Sequence, residues 1–288
     1  MADEKDRNFR VYFYNKFGMS AAVESKKYIE SFLKEERVDI EKLKLFVLKF
    51  PLPSVYRLDV WKVLLGVWPA ERSLHKYAQD ARRQTYTNLF DALRVMERVD
   101  DSTPLPEVYL KMHLLNENLL PLEDKNLMIP LQNRTFCSMS SAVINLTNDP
   151  IDQFWITAQF YRHVQKCTDQ LELLPDAVLY YLKLEEANPK LCELLQEQSI
   201  AIPLSEWFQS CFAGVLPESS FERIWDKVIG GRCMVLVYVA VSIFIIFQQP
   251  LLNMKNSQEA SEYFKKISVN SGDVLVNKAL SLFQKYST

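Results

Sequence analysis

The sequence predicts an all-α protein. Apolar residues recur at helical rather than alternating spacing along almost all of its 288 residues, as in Val23, Tyr28, Ile29, Phe32 and Leu33, then Ile40, Leu43, Val47 and Leu48. Start signals agree: Asp39 precedes Ile40 as a cap, and Ser219 with Glu222 forms a Ser-x-x-Glu box. Gly230-Gly231 then supplies a stop. In chain order the pattern gives further helices over 54–65, 76–99, 151–168, 176–184, 189–196, 205–212 and 219–229, with two more after Asn256. The apolar run 233–247 falls short of the roughly 20 residues a bilayer span needs, so it reads as a buried core helix. Two prolines and several polar residues interrupt the periodicity over 116–134, which is expected to be a loop or insertion. A chain of this length exceeds what one core comfortably supports, and two helical lobes joined near that loop are expected.

Charge and composition exclude several functions. With 34 basic against 36 acidic residues, the net charge is −2, and no Lys/Arg run offers the cationic surface that nucleic acid needs. The six glycines form neither of the usual phosphate-binding loops. Five cysteines (Cys137, Cys167, Cys192, Cys211, Cys233) make no C-x-x-C pair, and His75, His113 and His163 are scattered, so buried thiols and no metal or other cofactor are expected. The charged opening, Met1-Ala2-Asp3-Glu4-Lys5-Asp6, carries no secretory signal. A cytoplasmic protein without direct membrane insertion is the expectation.

Arg57 and Trp61, four residues apart, share a helix face and are followed by Leu64-Leu65-Gly66. Further on come Phe154-Trp155, then Trp207-Phe208 before Cys211-Phe212, then Leu216-Pro217-Glu218 leading into Trp225-Asp226. Each landmark alone reads as a core side chain or a satisfied charge. In this order they resemble the TBC domain, the all-helical, two-lobed module of Rab GTPase-activating proteins, over roughly 50–264. The resemblance implies an N-terminal helical segment over 1–49 packed on a TBC domain over 50–288.

Family members accelerate GTP hydrolysis with two side chains, an arginine from I-x-x-D-x-x-R and a glutamine from Y-x-Q. Aligned on Val95 and Val99, the aspartate position holds Arg98 and the arginine position holds Asp101, whose charge would repel a phosphate. Counting back from Phe154, the glutamine position falls near Thr135. Asp101 and Thr135 are therefore the degenerate finger positions, no catalytic residue is assigned, and a pseudo-GAP is expected. Arg134, in Arg134-Thr135-Phe136, is the substitute finger if the chain is instead a working Rab GAP; Gln132 lacks its tyrosine, and Asp91 with Arg94 reads as an exposed pair on a helix.

Ser102, Thr103, Pro104 and Glu107 open one more helix, on which Leu105, Val108, Tyr109, Met112 and Leu115 form a stripe. Leu110 and Leu114 face elsewhere, so its own domain is expected to cover only part of it. Arg7-Asn8-Phe9-Arg10 and the run 211–220 are most similar to a branch of the family that serves as a subunit of the tuberous sclerosis complex. That resemblance implies as partners the hamartin coiled coil and, through it, tuberin, which carries activity towards Rheb and restrains target of rapamycin signalling. Val108, Tyr109, Met112 and Leu115 are the expected contact surface, with lysosomal or vesicle-surface residence borrowed from the complex and a Rab GTPase as a further possible partner.

Overall fold

The computed structural model describes residues 19–197, 202–254, 257–264 and 267–286, so Arg7-Asn8-Phe9-Arg10 lies outside the described residues. Among those described, the regular elements are all helices apart from one isolated bridge between Arg37 and Glu71. Helix α1 (Met19–Lys34) leads into α2 (Ile40–Lys49), which begins where the Asp39 carboxylate accepts from the Lys42 N–H. α3 (Ser54–Leu64) follows Pro53. α4 (His75–Val95) stops short of position 99 because Glu97 takes a φ of 55° and turns the chain.

α5 (Leu105–Asn116) and α6 (Leu131–Ile144) flank an irregular segment shorter than 116–134, since Asn133 and Arg134 already belong to α6. Asp149 caps α7 (Pro150–Gln165), with Pro150 in its first turn where no hydrogen bond is lost. α8 (Thr168–Leu184) runs straight through Pro175; the expected start at 176 assumes that the proline breaks the helix, whereas the helix absorbs it. Asn188 caps α9 (Pro189–Gln196).

α10 (Leu204–Gln209) ends before 212 because Cys211 and Phe212 adopt φ values of 50° and 62°, a region bulky residues avoid. α11 (Glu218–Ile229) starts directly behind Pro217 without a side-chain cap, so Ser219 lies inside the helix rather than at the cap position expected for it. Gly231, at φ 95°, turns the chain after it as expected. α12 (Val235–Ile246), α13 (Gln248–Asn253), α14 (Ser257–Phe264) and α15 (Val269–Tyr286) complete the described fold.

Packing divides these helices into two lobes. α4 to α7 pack on one another, with α5 between α4 and α6. In the second lobe α12 is the hub, touching α8, α11, α13 and α15, and this explains why ten consecutive residues from Val235 to Phe244 are buried. A helix apolar on every side can only sit at such a centre. No helix among the described residues is long and apolar enough to cross a membrane. The irregular segment 117–130 lies within the first lobe, not at the junction; the lobes meet where Phe160 of α7 packs on Trp225 of α11 at 4.5 Å and where α6 touches α10.

The α11–α15 contact is close enough to exclude a methyl group. A Cβ at Gly272, in the first turn of α15, would stand 2.7 Å from Ser220 Oγ and 2.8 Å from Cγ of the Pro217 ring. Gly272→Ala should therefore destabilise the fold by about 1–3 kcal/mol despite alanine's higher helix propensity. A lowered urea midpoint with an unchanged slope is the expected result; a raised midpoint would show that the contact yields freely.

Candidate functional site

The family landmarks converge on one buried junction. The α3 spacing of Arg57 and Trp61 points both side chains at α11, where the Asp226 carboxylate accepts from Trp61 Nε1 at 2.8 Å and from Arg57 Nε at 3.2 Å. Arg57 also donates to Glu222 and, through Nη2, to the Leu52 carbonyl at 3.0 Å. Beside this network Trp225 packs against Trp61, Phe160 and Phe221 and donates from Nε1 to the Cys211 carbonyl at 2.9 Å. That hydrogen bond holds the left-handed turn at 211–212 in place. Burial pushes the Asp226 carboxyl up to about 6, opposed by Arg57 and by the Trp61 hydrogen bond. The junction thus joins the first helices to the second lobe and offers no free group for chemistry.

The positions expected for the fingers lie elsewhere, in the first lobe. Asp101 stands in the turn between α4 and α5 with its side chain 91% exposed, 3.3 Å from Arg94. Arg98, in the same turn, is occupied: it donates to the Pro121 carbonyl at 2.8 Å and pairs with Asp124. Lys111 of α5 reaches the same carboxylate at 2.9 Å, along with Glu107 at 2.8 Å and the Arg98 carbonyl at 2.8 Å. Burial resists ionisation of Asp124, but the hydrogen bonds from Arg98 and Lys111 outweigh it and hold the carboxyl below its ordinary range.

Asp124 therefore staples segment 117–130 onto the turn that carries Asp101. Sequence reading missed this network; Glu107 and Lys111, four apart on one helix, were the signal available. The stapled segment also exposes Leu119, Leu122, Met128 and Ile129.

Thr135 is buried in the first turn of α6, donating to the Gln132 carbonyl at 2.9 Å. Arg134 beside it donates to the Ile129 carbonyl at 2.5 Å and lies 3.9 Å from Glu206, at the edge of a cavity of about 610 Å³ between α6, α8 and α10. Among the described residues no group of His, Cys, Asp and Glu is placed to hold a metal ion.

The expected partner surface on α5 is corrected by the packing. Val108, Tyr109 and Met112 are 4%, 0% and 0% exposed, and Leu115 is half-buried. Because α4 and α6 cover α5 from two sides, both of its apolar faces are core. Tyr109 donates its hydroxyl to Gln153 Oε1 at 2.7 Å, and the imidazole of His113 stacks on Phe136 with burial pulling it down to about 4, a neutral ring in the interior. A two-faced apolar pattern looks the same in sequence whether the second cover is another helix of the chain or a partner.

Comparison with known proteins gives a family. Residues 138–252 match the Rab-GTPase-TBC domain model, a stretch downstream of both Asp101 and Thr135. The chain is 38% identical to human (Homo sapiens) TBC1 domain family member 7, over 99% of this chain and 97% of that protein. It is 36% identical to the Danio rerio protein of the same name, with the same coverage. Among solved structures, the Ypt/Rab-GAP domain of Gyp1p superposes with a TM-score of 0.56 at 13% identity, over 92% of this chain and 99% of that one. The TBC domain of a Chlamydomonas flagellar RabGAP gives 0.54 at 16% identity, over 96% and 94%. These structural matches show the fold.

The junction has a pH signature. Arg57→Met removes the cation that opposes the upward shift of Asp226, so its folded-state pKa rises further above 6 while the unfolded value stays near 4. A carboxyl whose folded pKa is raised favours the folded state when protonated, and that contribution is lost as pH rises through the folded pKa. Urea unfolding should show the variant destabilised by about 3–5 kcal/mol at pH 8 and by clearly less at pH 5.5. An equal loss at both values would contradict a buried, charge-compensated Asp226.

Proposed function

The chain belongs to the TBC-domain family, on the branch of the vertebrate proteins named TBC1 domain family member 7, and on that footing we propose that it is a non-catalytic TBC subunit of the tuberous sclerosis complex. In this role it binds the hamartin coiled coil, and tuberin through it. It stabilises the assembly, supports its activity towards Rheb and so helps to restrain target of rapamycin signalling. It is cytoplasmic, and at the lysosomal or vesicle surface when in complex.

The observation that carries the non-catalytic reading is the pair of side chains at the finger positions. A solvent-facing carboxylate at Asp101 supplies no positive charge to a transferring phosphoryl group, and a buried Thr135 hydroxyl, already donating to a carbonyl, cannot orient an attacking water. Arg98, the nearest cation in the turn, is held by Pro121 and Asp124.

With the α5 stripe enclosed, α4 is the surface we assign to the coiled coil. It is 21 residues long, roughly 31 Å at 1.5 Å per residue, yet it fully buries Leu93 alone. Tyr86, Leu89 and Phe90 pack against the core from its inner side, while on the outer side Tyr77 and Val95 stand in solvent about five turns apart on one line of the helix. A long helix whose outer line is polar between an exposed tyrosine and an exposed valine at its ends suits another amphipathic helix laid alongside.

Two experiments test the reading. In single-turnover assays across a Rab panel the protein should leave GTP hydrolysis at its intrinsic rate; acceleration of about 10³-fold or more, abolished by Arg134→Ala, would establish a Rab GAP instead. Separately, Tyr77→Asp with Val95→Asp should cut pull-down by a hamartin coiled-coil peptide at least about tenfold with an unchanged helical CD spectrum. Val274→Asp, at an exposed apolar position on α15, should not. Undiminished capture by the α4 variant would remove that helix from the interface.

A further inference from the structure

Most buried or half-buried cations of this chain are answered by carboxylates: Arg57 by Asp226 and Glu222, Arg98 and Lys111 by Asp124, Lys278 by Glu185. A cluster between α2, α11 and α15 is not. Lys49, Arg223 and Lys227 line one open cavity of about 280 Å³. Among the described residues none of the three is in an ion pair within 4 Å. Lys227 Nζ donates to the Val47 and Phe50 carbonyls at 2.5 and 3.2 Å, Arg223 donates from Nη2 to Asn277 Oδ1 at 2.8 Å, and Lys49 reaches into solvent. Asp226 also borders the cavity, but Arg57 and Trp61 occupy its oxygens.

Gathering three cations at a partly enclosed site is unfavourable unless something negative shares it. Burial pulls the Lys227 ammonium down to about 8, with the Asp226 carboxylate resisting and the neighbouring Arg223 adding to the fall. Neutral donors complete the wall, since Ser281 and Gln284 of α15 face the same space. At about 30 Å³ per water molecule the volume admits a tetrahedral anion with part of its hydration. A guanidinium and two ammonium groups lining one cavity suit phosphate oxygens by charge.

We infer that the cavity between α2, α11 and α15 binds a phosphate monoester, with Arg223 and Lys49 as its outer cations, Lys227 as its floor, and Ser281 and Gln284 as neutral donors. The ligand is an inositol phosphate free in solution or the same group displayed as a phosphoinositide headgroup; the test separates the two. The inference rests on α2, α11 and α15 alone and is independent of the hamartin reading.

Isothermal titration of the full chain with inorganic phosphate and with inositol hexakisphosphate should give saturable binding that weakens with added salt. Arg223→Gln and Lys49→Gln should each weaken it about tenfold, the loss of one charge-assisted contact, with Arg223→Lys intermediate and Lys166→Gln, a cation outside the cavity, without effect. Unchanged CD spectra and melting midpoints will show that the variants fold. Co-sedimentation with phosphatidylcholine vesicles, with and without phosphatidylinositol bisphosphate, identifies the source. Retention that needs the phosphoinositide and is lost in Arg223→Gln assigns a headgroup, whereas soluble binding without retention assigns a free phosphate monoester. No saturable binding of any probe, or binding indifferent to Arg223→Gln and Lys49→Gln, overturns the inference.

Discussion

A single buried carboxylate organises this molecule. Asp226 accepts from the Trp61 indole and the Arg57 guanidinium, and so fixes α3, and with it the N-terminal helices, to α11 of the second lobe. Removing a charge from water costs several kcal/mol, and here only part of that is returned by pairing, which is why its carboxyl titrates near 6. What the pair supplies is position. With Asp226 fixed, Trp225 fills the space between Trp61 and Phe160, and Lys227 turns to the carbonyls that end α2. One helix thereby sets the relation of three others.

The first lobe is built differently, and its chemistry follows from that. The turn between α4 and α5, to which the proposed reading assigns the arginine position, is tied down by Asp124 through Arg98 and Lys111. Its exposed charge is an acid. Arg98 and Lys111 are spent on holding a neighbouring segment rather than left free for a nucleotide. With Arg98 and Lys111 engaged this place is suited to recognition, and α4, long and barely buried, is where the lobe has surface to offer.

Most of the architecture was legible in the sequence because helical periodicity, capping at Asp39 and the stop at Gly230-Gly231 are local signals. Trp61, Trp155, Trp207 and Trp225 were recognisable as family landmarks, and they are core side chains. The misreadings share a cause: tertiary context. Pro175 sits inside α8, and Cys211 and Phe212 are held left-handed with the help of a hydrogen bond from Trp225, an interaction invisible along the chain. Leu110 beside Tyr109 signalled that α5 has two apolar faces, but not that α4 and α6 would close over both. The Asp124 staple and the Lys49, Arg223 and Lys227 cavity join residues far apart in sequence, beyond the reach of any motif.

The central claim is that this TBC domain works by contact rather than by turnover, and its most direct test identifies what it contacts. The tagged full-length chain should be recovered from its native cells, washed at moderate salt and quantified by mass spectrometry. The account predicts hamartin and tuberin in constant ratio to the bait, at levels independent of added GTPγS. Recovery of a Rab GTPase in nucleotide-dependent amounts, with hamartin absent, would contradict it.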